Sequence, residues 1–426
     1  MIFDISVLLL AHRSDKARTG VFRATDNIVR RLAASRECSL CFSLAEDVEE
    51  SLDFLSQDPQ LRNMCLALSK SSRFRQRLYG RVHQLTEQLE SNGSKASALP
   101  LKALRKSYYH LARLANRRQH LLREEELTQA DIYHSPFHAI PGQARRVQNL
   151  KRFLTVYDLI AILQSQLFEP AMGHWLRKII GSLAPEDFAL CISQFTKDEL
   201  CGYRPDLNPD HVFVTHLAAS DLFYPMTDEH RLATTRTKYK IPPGVPYLLS
   251  LGTLEPRKNI EHVIRCFAKV LREQNIRDLQ LVLVGVKGWD YDGIFKALNT
   301  LDVPRDRITL TGYVNDEDLA PLYSGALSFV YLSLYEGFGL PPLEAMQCGV
   351  PVITSNRSSL PEVVGDAGLS IDALDEDAAA QKILDIYKDS TLRAELSARS
   401  IKRARQFSWD RCARETLEAY KFALRN

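Results

Sequence analysis

The chain has 426 residues, room for two domains of ordinary size. With 45% hydrophobic and 25% charged residues, its composition is that of a globular protein, not a fibrous or low-complexity one. A formal net charge of +3 is too small to indicate a nucleic-acid partner, and none is expected.

The opening "MIFDISVLLLAH" is apolar, but Asp4 interrupts it and no basic leader or small-residue cleavage site follows, so it reads as a buried first strand. No stretch reaches the roughly 18 apolar residues of a membrane helix, which favours a cytoplasmic location. Further strand-like runs are "ECSLCFSLA", "DIYHSPF", "RFLTVYDL", "FALCIS" and "HVFVTHLA". Helical patterns alternate with them, the mark of a parallel sheet with crossover helices. Cys38 and Cys41 form a lone C-x-x-C on the second of these runs, with no second pair to complete a zinc site. The eight cysteines read as core thiols in a reducing compartment.

Residues 50–128 break the alternation and read as a basic helical insertion. From 61 to 126, 14 Lys and Arg face 5 Glu, a net of +9 that leaves about −6 for the rest. Tyr108, Leu111, Leu114 and Leu121 recur at roughly helical spacing among arginines. Two readings stand: a solvated insertion packed by its apolar stripe, or a peripheral contact with an anionic membrane surface or a lipid-linked acceptor.

After this half comes "DLFYPMTDEHRLATTRTKYKIPPGVP", polar and proline-bearing, the natural linker. Five more strand runs follow: "PYLLSLGTL", "LQLVLVG", "ITLTGYV", "LSFVYLS" and "VPVITSN". The fold class is therefore α/β, with two doubly wound Rossmann-like units facing across a cleft. The first spans 1–225 and the second 226–407, and a last helix over 408–426 has Ser408 as its N-cap. Ligands in such sheets sit at the carboxyl ends of the strands.

"YEGFGLPPLEAMQCGVPVIT" reads as loop, helix and strand. Gly337 and Gly339 permit a tight turn, Pro341 and Pro342 suit a first helical turn, and Gly349 suits its end. Amides near Phe338, Gly339 and Leu340 then point at whatever lies beyond the helix start, where a diphosphate is the usual guest. Glu336 and Glu344 would repel phosphate but suit the hydroxyl-rich groups flanking one, and a nucleotide sugar has that anatomy. In "YLLSLGTLEPRKNIEHVIRCF", Arg257 and Lys258 fall on a loop after a strand; Arg257 can grip phosphate with a planar fork and Lys258 as a point charge.

These motifs resemble the retaining glycosyltransferases of family 4, which have the GT-B fold; the match is strongest over 245–370. "EGFGLPPLEAMQCGVPVI" resembles that family's paired-glutamate motif, and "LGTLEPRKNI" its phosphate-binding strand and loop, with Gly252 and Thr253 beside the ligand. The resemblance implies that Arg257 and Lys258 stabilise a departing diphosphate, that Glu344 holds the ribose and that Glu336 contacts the donor sugar. "LTGYVNDEDLAPLYSGA" resembles the segment lining the nucleobase, at Tyr313 and Val314, and the resemblance implies that the helix over 408–426 returns to the first unit. In the first half only Gly20 remains of the family's glycine-rich loop, with Arg18 and Arg23 near it. His134 matches a cleft histidine, chosen over His138 because it directly follows its strand. In "LTVYDLI", Tyr157 replaces the family's histidine and Asp158 remains; His134 or Asp158 would contact the reacting sugar or guide the acceptor hydroxyl. Ser193 and Thr196 read as helix caps. The D-x-D at Asp290 and Asp292 reads as a turn, and the family works without metal, so no metal and no cofactor beyond the nucleotide-sugar co-substrate are expected.

The reaction so implied moves a hexose from a nucleotide diphosphate sugar to a hydroxyl of a glycan or lipid-linked glycan, by front-face attack with retention. An epimerase or hydrolase on the same fold, or a non-catalytic binding scaffold, are the alternatives.

Overall fold

The alternating pattern resolves, in a computed structural model, into two parallel sheets. The structure describes residues 1–8, 20–43, 55, 58, 60–61, 64–66, 122, 124–168, 170–288 and 304–426. Most of the basic insertion, Arg18, Asp290 and Asp292 lie outside the described residues.

The first sheet has seven strands: β1 Ile2–Asp4, β2 Cys41–Ser43, β3 Cys65–Leu66, β4 Ile132–Ser135, β5 Lys151–Val156, β6 Phe188–Cys191 and β7 Val212–Val214. Their order is β3-β2-β1-β4-β5-β6-β7, all neighbours parallel. The second has six: β8 Tyr247–Leu251, β9 Gln280–Val284, β10 Ile308–Gly312, β11 Ser328–Tyr331, β12 Val352–Ser355 and β13 Leu369–Ile371, in the order β10-β9-β8-β11-β12-β13. Both orders reverse beside the first strand of the unit, which is where a doubly wound sheet opens a crevice.

The central strands are buried on both faces, as Phe188–Cys191, Gln280–Val284, Ser328–Tyr331 and Val352–Ser355 are throughout, because helices cover each side. One cluster of buried side chains runs through both units, from Phe3 and Phe153 to Phe329 and Phe338. Two smaller clusters fill one outer face each, around Phe267 and Leu281 in the second unit and Leu154 and Ile180 in the first.

Two details differ from the pattern-based reading. β1 stops at Asp4, because Asp4 Oδ1 accepts the Ser6 amide at 2.9 Å and turns the chain into a helical turn at residues 6–8. β3 and β13 are edge strands of two and three residues, too short to show a period.

The helix Trp409–Arg425 lies against the first unit. Ser408 caps it by accepting the Arg411 amide at 3.1 Å, and Arg31 of the helix Gly20–Ala34 bonds Asp410 at 2.8 Å. Its buried stripe, which includes Trp409, Thr416 and Tyr420, repeats at helical spacing.

Candidate active site

A cleft of about 540 Å³ opens between the carboxyl ends of the two sheets. On the second unit it begins where β11 gives way to the turn before the helix Leu340–Gln347. Gly339 stands at φ 114, a backbone conformation strained for any other residue, and a Cβ there would also push on Leu360 Cδ2, 2.7 Å away. Pro341 and Pro342 occupy the first helical turn, and Gly349 at φ 74 follows its end. Two serines fix the turn from outside. Ser358 Oγ accepts the Glu336 amide at 2.8 Å, while Ser359 Oγ donates to the carbonyls of Glu336 and Phe338 at 2.9 and 2.7 Å. Nothing in the sequence pattern marked this serine pair.

The turn delivers Glu336 into a buried cage. Its Oε1 accepts from Lys258 Nζ, Tyr331 Oη and Ser333 Oγ, each at 2.7 Å, and its Oε2 accepts from Arg257 Nη1 at 2.8 Å. Burial alone would raise its pKa, but Arg257 and Lys258 outweigh burial and hold the carboxyl at about 2. Lys258 is aimed by its neighbour Asn259, a left-handed residue at φ 56 whose amide donates to the carbonyls of Leu332 and Ala373 at 3.0 and 2.8 Å.

Arg257 differs from the expected phosphate fork. Its Nε and Nη2 donate to Glu255 Oε1 at 3.0 and 2.6 Å, and Nη1 donates to the Tyr335 carbonyl at 3.0 Å as well as to Glu336. Phe168 of the first unit packs on its face, 5.6 Å from the ring centroid. A guanidinium has five N–H groups, so these contacts leave roughly one for a ligand. Arg257 therefore brings charge to the cleft and orients Glu336; its bidentate edge is taken by Glu255.

Glu344 lies one turn into the helix, at the other end of the cleft. Tyr323 Oη donates to its Oε2 at 3.0 Å, and Arg23 from the first unit reaches its Oε1 at 3.4 Å while donating to Asp316 Oδ1 at 2.6 Å. Burial raises the Glu344 pKa, with Arg23 opposing. Tyr313, 59% exposed, and buried Val314 line this end. Gly252 and Thr253 lie beside Lys258; Phe338, Gly339 and Leu340 line the middle, with Gly20 opposite Leu340.

From the first unit, Asp158 enters the cleft beside Arg257. Its Oδ1 accepts the Ile160 amide at 3.1 Å, and burial raises its pKa against the pull of Arg257. His134 does not enter. It is fully buried within the first sheet, with Nδ1 2.6 Å from Tyr420 Oη, Nε2 2.8 Å from Thr155 Oγ1, and Phe3 packed on its ring. Burial pushes its pKa down to about 3, so it stays neutral and ties the last helix to the sheet. The reason is strand alternation: in β4, His134 points to the helix-covered face and never to the strand end. Tyr157 likewise turns its hydroxyl to Thr25, at 3.4 Å.

The two units touch at the turn that carries Glu336. A Cβ on Gly337 would lie 2.2 Å from the Tyr157 carbonyl oxygen, so only glycine allows that approach. Ser193 caps the helix Gln194–Tyr203 by accepting the Thr196 amide at 3.1 Å, whereas Thr196, expected as a second cap, lies inside the helix; both hydroxyls also donate to the Gly337 carbonyl, at 2.7 and 3.3 Å. Glu362 accepts the amides of Gln194 and Phe195 from across the junction, together with His216 Nε2 at 2.6 Å. Among the described residues no group of three His, Cys, Asp or Glu is placed to hold a metal.

Two parallel α/β units meeting on a glutamate held by two cations, at the start of a proline-led helix, define a glycosyltransferase of the GT-B class. The chain belongs to the family described as glycosyl transferases group 1, whose model matches residues 233–407. It is 37% identical over 292 residues to O-antigen chain mannosyltransferase B of Escherichia coli, covering 68% of this chain and 74% of that protein. It is 29% identical over 273 residues to the Escherichia coli serotype-specific mannosyltransferase WbdA, covering 63% of this chain but only 33% of WbdA. Among solved structures, HepE of Anabaena in complex with UDP and glucose superposes with a TM-score of 0.64 at 14% identity, over 99% of this chain and 98% of that one.

Proposed function

We propose that the protein transfers a mannosyl residue from a nucleoside diphosphate donor to a hydroxyl of a growing glycan, with anomeric configuration retained and without a metal. The observation that carries this is Glu336 clamped between Lys258 and Arg257, eight residues before a buried Glu344, in one cleft built from both sheets. The mannose assignment and the glycan acceptor are supported by the relatives named as mannosyltransferases, one of them acting on the O-antigen chain. A nucleoside diphosphate donor is supported by the HepE complex with UDP. A lipid-linked glycan and a peripheral site at the inner membrane face belong to the same proposal; none of the described helices is long and apolar enough to cross a membrane.

In this mechanism the C1–phosphate bond breaks as the acceptor oxygen approaches C1 from the same face, and the acceptor proton passes to the departing phosphate oxygen. Lys258, the charge of Arg257 and the amides at Gly339 and Leu340 stabilise the growing diphosphate charge. Glu336, already ionised, accepts from a hydroxyl of the donor sugar through Oε2, the oxygen that carries a single donor. Glu344 accepts from the ribose, and Asp158 lies on the acceptor side.

A melting-temperature screen against UDP, GDP, ADP and dTDP finds the base; a ligand at about 100 times its Kd adds roughly 2.7 kcal/mol. Incubating the matching mannose donor with a mannan acceptor, with and without EDTA, then reads the anomeric proton of the product by NMR. An inverted product, loss of activity in EDTA, or release of free sugar in place of a glycoside would each sink the part of the reading it addresses.

A further inference from the structure

Arg23 is the residue by which the first unit reaches the nucleoside end of the cleft, and it meets two carboxylates there. Nη2 is 2.6 Å from Asp316 Oδ1, whereas Nη1 is 3.4 Å from Glu344 Oε1, at the outer limit of a hydrogen bond. The other oxygen of Glu344 already accepts from Tyr323. If Glu344 binds a vicinal diol, as the proposed function has it, both of its oxygens must be able to accept, and a closely held guanidinium on Oε1 competes directly with the second hydroxyl. The Asp316 side chain is 36% exposed and that of Glu344 only 7%, so Asp316 is the hydrated partner and Glu344 the buried one. Left without a carboxylate at 316, the guanidinium has the buried Glu344 as the charged acceptor it already touches, and charge-assisted pairing there would be strong.

We propose that Asp316 is a positioning residue that holds Arg23 off Glu344, keeping Glu344 Oε1 open to a ribose hydroxyl. The inference rests on the assignment of Glu344 to the ribose, and its test separates the two. The full chain is titrated calorimetrically with UDP, GDP and ADP, and with the 2′,3′-dideoxy form of each. Wild type binds its preferred ribonucleotide more tightly than the dideoxy form. Asp316→Asn weakens the ribonucleotide about tenfold while leaving the dideoxy form unchanged, since a tenfold loss is one well-made polar contact. Adding Arg23→Gln to Asp316→Asn restores ribonucleotide binding to within about threefold of wild type, a coupling that a merely structural role for Asp316 would not produce. The proposal is overturned if Asp316→Asn binds normally, if it loses both forms equally, or if the double variant stays as weak as the single one. Equal binding of both forms by wild type overturns the ribose assignment itself, and the proposal with it. Melting temperatures of the three proteins confirm that all are folded.

Discussion

Glu336 is ionised in the folded protein because Arg257 and Lys258 overcome its burial, and that has a measurable sign. Its folded pKa of about 2 lies below the ordinary value of 4.5, so its contribution to stability is fully present above that value and is lost as pH falls toward 2. The melting-temperature gap between wild type and Glu336→Gln should therefore narrow as pH is lowered from about 6 to about 3, as scanning calorimetry can read. A gap independent of pH would mean that the cations do not hold the charge. For the reaction, Lys258→Ala and Glu336→Ala should each lower kcat by at least about 10²–10³, the loss seen when a single preorganised electrostatic contact is removed. Circular dichroism should show both still folded; full activity in either purified variant refutes their roles. His134 makes the opposite case. Tyr420→Phe should reduce stability by about 1 kcal/mol and leave kcat essentially unaltered, since it removes one buried hydrogen bond between residues that do not line the cleft. Arg257, Lys258, Glu336 and Glu344 were legible because charged residues beside glycine and proline turns have few structural uses. The inward face of β4 was not, since a histidine at a strand end looks the same from either side. Glu255 was equally hidden: its effect on Arg257 depends on a 3₁₀ turn at Pro256–Lys258 that brings residues two apart into contact.

At the level of elements, the turn between β11 and the helix Leu340–Gln347 is held by the opposite unit as much as by its own. Gly337→Ala would place a methyl carbon 2.2 Å from the Tyr157 carbonyl oxygen, and no flexible side chain is there to yield. That substitution should separate the turn from Asp158, lowering kcat by more than about tenfold, and should lower the melting temperature by several degrees, as overpacking usually does. Unchanged kinetics would show that the contact opens during turnover. Glu362 caps a helix belonging to the other unit, an arrangement invisible in "SSLPEVVG" because nothing local announces a partner some 170 residues away. By contrast, the strands that carry these turns were plain in the sequence. Runs such as "LQLVLVG" and "LSFVYLS" are apolar on both faces and too short for helices, and their alternation with helical patterns marks a covered parallel sheet.

Across the whole molecule, the helix Trp409–Arg425 completes the unit that the first strand begins. Removing residues 408–426 would uncover His134, Phe153 and Phe213, which pack against Tyr420 and Phe422. The truncated chain should therefore aggregate or melt far below the full chain in a thermal-shift assay, instead of folding as an inactive enzyme. Its capping serine could be read in advance, but its docking partner came only from the resemblance, since an amphipathic stripe does not say which sheet it covers. Because the chain leaves the first sheet after β7 and returns to pack on that unit through the helix Trp409–Arg425, two separate stretches of backbone join the units. During translation the unit that starts first is also finished last. It must wait, with one flank bare, while the entire second unit emerges and folds.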